Sequence, residues 1–303
     1  MASGLTRLKV EARDALELVL LPGLAAVLPW RIAFALFKRM ARWPFLYRTA
    51  CENALAQARQ RGWAADEADW LMKRRLVTLV DHADFYLSRT RGRRFMARHL
   101  DVDGLWPPAG AGAVLCTFHW GAGMWGLRHL GASSLKPHAL VAPLDGAHFA
   151  GRWVLHRYAH ARTAEVSRAL GCNALDVSAS LKPAIRALRQ GEQVVAAVDV
   201  PADQVSASRR IMLLGMPARV PRGLLRLAVD RKAPVSVYVT GIRMSDGRRF
   251  LRIRNLPVHE DADTLVDAVF KLLEETIAED APAWHFWGEA ERFFVREETS
   301  QTL

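Results

Sequence analysis

Short apolar runs punctuate the middle of the chain: AVLCTF (113–118), ALVAPL (139–144), QVVAAVD (193–199) and PVSVYVTG (234–241). Runs of this length, without polar alternation, read as strands buried on both faces. Helical patterns lie among them, including SASLKPAIRALRQG (178–191) and PRGLLRLAVDRKA (221–233). Strands alternating with helices predict an α/β fold, a central mainly parallel or mixed sheet flanked by helices. RFLRIRN (249–255) alternates as a half-exposed edge strand would, and DTLVDAVFKLLEETIAED (263–280) predicts an amphipathic helix. With 303 residues, 51% of them hydrophobic and 24% charged, the chain can bury one large core. No internal repeat or low-complexity linker divides it, so residues 51–303 read as a single domain.

Residues 1–50 differ in character. Leu18 to Trp30 is uncharged, but Glu17, Pro22, Pro29 and Arg31 interrupt the apolar span, which falls short of the ~20 residues a transmembrane helix needs. From Trp30 onward the pattern is amphipathic. Arg31, Lys38 and Arg42 fall on one stripe, and Ala33, Phe37, Met40 and Ala41 fall opposite. Such a helix can lie in a membrane interface against anionic lipid, or pack as an ordinary surface helix. The preceding apolar stretch favours membrane contact. Net charge is +11, and SRTRGRRFMARHL (88–100) concentrates five arginines, which favours anionic partners. Nucleic acid is the least supported of these, because the arginines lack aromatic interleaving and no reader motif is present.

Ligands of open α/β sheets bind beyond the carboxyl ends of the strands. His119 follows AVLCTF there, and Asp199 ends QVVAAVD. Gly121, Gly123 and Gly126 follow His119 and permit close backbone approach, so their N–H groups could hold an oxyanion. Cys51, Cys116 and Cys172 form no C-x-x-C pair, and Cys116 reads as a small buried hydrophobe. Asp81 and His82 read as helix-surface residues, and His285 as packing for the aromatic tail APAWHFWGEAERFF (281–294). No P-loop, dinucleotide fingerprint or H-E-x-x-H spacing occurs, so no cofactor or metal is expected.

The order of these blocks resembles the lauroyl/myristoyl acyltransferases of lipid A biosynthesis. The resemblance covers nearly the whole chain: LPWRIAFALFKRMARW, HLDVDGLWPPAGAGAVLCTFHWGAGMW, IRALRQGEQVVAAVDVP, LLGMPARVPRGLLRLAVDRKAPV and PAWHFWGEAERFF. It implies acyl transfer from an acyl carrier protein or coenzyme A thioester to a lipid or glycolipid hydroxyl or amine, at the cytoplasmic face of an inner membrane. It also implies His119 as general base in an H-x4-D/E motif, and an arginine that binds anionic substrate. Arg168, three residues before Gly171, is the better match for that arginine, and Arg162 the other candidate. The acid of the motif is missing, because Met124 stands at its position. Asp199 is then the first candidate to orient His119, with Asp145 and Glu289 behind it. A backbone carbonyl could do so instead, or the chain could bind lipid or carrier protein without turnover.

Overall fold

A computed structural model describes residues 4–141, 144, 146–149 and 151–295. Nine strands are present among them: β1 (Leu100–Asp103), β2 (Val114–Thr117), β3 (Pro137–Val141), β4 (Leu175–Asp176), β5 (Gln193–Ala197), β6 (Ser208–Leu213), β7 (Met216–Pro221), β8 (Val235–Ile242) and β9 (Arg249–Asn255). Seven form one sheet in the order β1-β9-β8-β2-β5-β3-β4, and β6 and β7 form a separate antiparallel hairpin. Only the β8–β9 pairing in the large sheet is antiparallel. The protein is therefore α/β, with a seven-stranded, mostly parallel sheet flanked by helices.

Side-chain alternation along the strands divides the core between the two faces of this sheet. Val114, Cys116 and Phe118 pack with Leu225, Phe270, Trp284 and Trp287, whereas Ala113 and Leu115 pack with Phe37, Leu76, Trp125 and Tyr238. Cys116 is fully buried as expected, and burial pushes its thiol up to about 12. The helices within 178–191, 221–233 and 263–280 form over Lys182–Arg189, Gly223–Asp230 and Ala262–Glu279.

Three expectations are corrected. First, β9 is not an edge strand, because β1 pairs along its outer side. Its arginines alternate because acids flank them: Arg254 meets Asp103, Arg252 meets Glu279, and Arg249 is buried against Asp84. Second, of the two readings of the Trp30–Met40 helix, its apolar stripe takes the one that packs on the protein itself. Ala33, Phe37, Met40 and Ala41 are buried in the protein's own core beside Cys51, Leu76 and Val80. Third, Asp81 and His82 are not surface residues. They lie on the Glu67–Thr90 helix, where Asp81 is buried and His82 half-buried, and both pack toward Tyr158 and Arg162.

The Arg249–Asp84 pair anchors the N-terminal helices to the sheet. Both side chains are fully buried, the guanidinium lies 3.7 Å from the Trp30 ring centroid, and its Nη1 donates to the Gly247 carbonyl at 3.0 Å. Burial pushes the Asp84 carboxyl up to about 6, although Arg249 pulls it down. Arg249→Met leaves that carboxylate uncompensated and should cost about 3–5 kcal/mol in chemical denaturation. Adding Asp84→Leu should recover most of the loss. A single-variant cost under about 1 kcal/mol would remove the pair from this anchoring role.

Candidate active site

The strand register brings His119 and Asp199 together. Parallel β2 and β5 pair Val114 with Val194 and Thr117 with Ala197, a constant offset of 80 residues. Continued two residues past the strand ends, that offset sets His119 beside Asp199. The outgoing connections diverge here, since β2 leads past β5 to β3 and β5 leads back past β2 to β8. Right-handed crossovers in opposite directions run over opposite faces of the sheet, and it is between such strand ends that open α/β sheets form their ligand crevices.

At these strand ends the His119 Nδ1 lies 2.9 Å from Asp199 Oδ1. The His119 backbone N–H donates to both carboxylate oxygens at 2.9 Å, and the Trp284 indole N–H donates to Oδ2 at 3.0 Å. A carboxylate that only accepts requires the proton on Nδ1, so the neutral imidazole presents its lone pair at Nε2. Among the described residues Nε2 has no hydrogen-bond partner, and the His119 side chain is 42% exposed while Asp199 is fully buried. Burial by itself would push the imidazole pKa down. The charge and hydrogen bond of Asp199 outweigh it, and His119 is held above its ordinary value.

A buried arginine holds the C-terminal segment against this pair. Arg74 Nη1 donates to the carbonyls of Pro282 (3.1 Å) and Trp284 (2.7 Å), and its Nη2 donates to that of His285 (3.1 Å). Trp284 is thereby fixed on Asp199, and Phe286 stands edge-on to the His119 ring at 4.7 Å. His285 does more than pack: its backbone N–H donates to the His119 carbonyl and its Nε2 to the Gly121 carbonyl, each at 2.7 Å. Burial, with Arg74 adding to it, pushes His285 down to about 4, so it is a neutral donor.

The glycines serve the backbone first. Gly121 has φ +68°, and a Cβ there would lie 2.3 Å from the Thr240 carbonyl oxygen. A Cβ on Gly126 would lie 2.4 Å from Thr240 Oγ1. The expected oxyanion role narrows, because Gly121 N–H donates to Ala283 (3.0 Å) and Gly126 N–H to Gly123 (3.1 Å). Among the described residues, the Gly123 N–H is the one of the three left uncommitted; it stands at the start of the Met124–Gly131 helix.

Both expected arginines are committed to partners within the protein, Arg162 in a buried network with Asp81 and Tyr158. Arg162 holds Asp81 through both carboxylate oxygens, at 2.7 and 2.8 Å, and its charge reaches His119 and His285. Burial works against ionisation of Asp81, but Arg162 outweighs it and keeps the carboxyl low. Arg162 also donates to the Tyr158 hydroxyl, which lies 2.7 Å from His82 Nδ1; burial and Arg162 push His82 down to about 3. Arg168 is instead occupied by Glu165 and the Ser88 carbonyl. Asp145 lies outside the described residues, and Glu289 is half-buried and paired with Arg292.

Met124, at the position of the missing acid, is 3% exposed. A glutamate there would be buried, and His119 Nδ1 is already taken by Asp199. Met124→Glu should therefore cost about 2–3 kcal/mol and lower the melting temperature by roughly 3–5 °C, with no gain in turnover. A rise in rate would mean that Asp199 fills the orienting role poorly.

Among the described residues, no three His, Cys, Asp or Glu side chains gather to hold a metal ion. No protein-family model matches the chain, and no curated protein sequence matches it.

Proposed function

We propose that the protein is an acyltransferase that moves an acyl chain from an acyl carrier protein or coenzyme A thioester to a lipid or glycolipid hydroxyl or amine. The observation that carries this reading is the contact between His119 Nδ1 and a buried carboxylate, with Nε2 exposed and unpartnered. In this reaction Nε2 takes the acceptor proton as the acceptor oxygen or nitrogen attacks the thioester carbonyl carbon. The Gly123 N–H is the available donor to the tetrahedral oxyanion. Collapse breaks the carbon–sulfur bond, and the imidazolium returns its proton to the thiolate.

Membrane association belongs to the same proposal. No described helix is long and apolar enough to cross a membrane. Leu5, Leu8, Val27, Ile32 and Phe45 are nonetheless exposed, among Arg7, Lys9, Arg31 and Arg48. Apolar side chains interleaved with basic ones suit peripheral attachment to an anionic inner-membrane surface. Mass spectrometry of lipids from cells with and without the protein tests the reading. The expected result is a lipid gaining one acyl chain only when the protein is present. Unchanged lipids alongside retained binding of acyl carrier protein would favour a binder without turnover, the reading Met124 invites.

A further inference from the structure

Two stretches of the chain contain no acidic residue at all, 85–100 and 104–144. The Arg93–His99 and Met124–Gly131 helices come from these stretches and pack together, with the Phe95 and Trp125 rings 5.1 Å apart. Between them and the end of the Trp153–Leu170 helix is a cleft of about 200 Å³, lined by Gly92, Arg93, Met96, Trp125, Arg128 and Arg168. None of the residues that hold the His119–Asp199 pair lines it.

The charge in this cleft is unbalanced. Glu165 meets Arg168, but among the described residues the guanidinium groups of Arg93 and Arg128 have no hydrogen-bond or ion-pair partner. Arg168, which lines the same cleft, thus has its charge balanced, and Arg93 and Arg128 do not. Two uncompensated guanidinium groups across a concave, half-apolar wall form an anion site, and their planar forks match phosphate oxygens.

The cleft shares Gly92 with a second groove, of about 1100 Å³. Val27, Pro29 and Phe95 give that groove apolar walls, and Arg94 and Arg98, which have no acidic partner among the described residues, give it a cationic rim. Whole ligands generally occupy ~300–1,000 Å³. The arginine cleft thus accommodates a head group and the groove accommodates something larger and partly apolar.

We infer that Arg93 and Arg128 form a phosphate-binding site, separate from the His119 centre, whose ligand is the phosphate of an anionic phospholipid, with its apolar part along the Val27–Phe95 groove. The inference does not depend on acyl transfer, and it stands or falls by binding alone.

The test is co-sedimentation of the full chain with vesicles of phosphatidylcholine, and of equal parts phosphatidylcholine and phosphatidylglycerol. Arg93→Gln/Arg128→Gln is compared with Arg186→Gln/Arg189→Gln, which removes equal charge from the exposed face of the Lys182–Arg189 helix. Among the described residues neither pair makes a side-chain hydrogen bond or ion pair that the substitution would lose. Each arginine near an anionic surface is worth roughly fivefold in affinity, so the first pair should lose about thirtyfold on the mixed vesicles and the second far less. Isothermal titration with inorganic phosphate is the parallel arm. Phosphate binding that the first pair abolishes, without any vesicle effect, supports the site and assigns it a free phosphate. Equal losses from both pairs, or losses on duplex DNA that match those on vesicles, would overturn the inference in favour of unspecific charge. So would no loss on either probe.

Discussion

His119→Ala should lower the rate of acyl transfer by about 10²–10⁴-fold while leaving the fold intact. Among the described residues its Nε2 has no hydrogen-bond partner and its side chain is 42% exposed, and without the ring the buried Asp199 carboxylate still accepts from the His119 backbone N–H and the Trp284 indole. Losing the ring removes proton abstraction from the acceptor but not the binding surfaces. The effect should therefore appear in kcat more than in KM. A variant with wild-type kcat would take His119 out of the reaction.

Asp199→Asn should cost on the order of 100-fold or more and change the pH dependence as well. The carboxylate accepts from His119 N–H, His119 Nδ1–H and Trp284 Nε1–H, so any placement of the amide NH2 faces at least one donor with another donor. Facing Nδ1, it forces the proton to Nε2 and removes the base. Facing Trp284, it keeps the tautomer but loses the charge. The sign follows from the raised pKa of His119. Transfer needs the neutral imidazole, so activity falls as pH drops through that raised value. Without the Asp199 charge the pKa falls, and the acid limb of residual activity should move to lower pH. Circular dichroism of the variant separates this from a folding defect, since an orphaned buried donor also destabilises.

The parts of the fold that periodicity encodes were the legible ones. Strands buried on both faces need no polar alternation, so β2, β3, β5 and β8 stand out as apolar runs. β1 did not, because four residues in a turn-rich stretch carry too little pattern, and its absence from the reading turned β9 into an edge strand. The β6–β7 hairpin was also missed. Its turn places Leu214 and Gly215 both at positive φ, and a leucine there hides the usual Asn-Gly or Gly-Gly signal.

The candidate site divides in the same way. Asp199 could be chosen because it ends a strand, and ligands gather at carboxyl ends. That β2 and β5 are neighbours, with an offset that sets residue 119 beside 199, is a property of the sheet order and not of either segment. Trp284 and Arg74 act through contacts spanning 85 and more than 200 residues, which no local pattern reports. The charge of Asp81 was visible, but its burial opposite Arg162 depends on how two distant helices pack. On the acyltransferase reading, the carboxylate that Met124 does not supply comes instead from the adjacent strand, through Asp199.

Single-turnover transfer from an acyl-carrier-protein thioester to membrane lipid, followed across pH in the wild type and in Asp199→Asn, tests this most directly. The predicted result is release of thiol matched by acylated lipid in the wild type, with an acid limb above the ordinary histidine value of ~6.5 that moves down in the variant. Acylated lipid with the same limb in both proteins would contradict the His119–Asp199 pairing. No acylated lipid from the wild type at any pH would contradict acyl transfer itself.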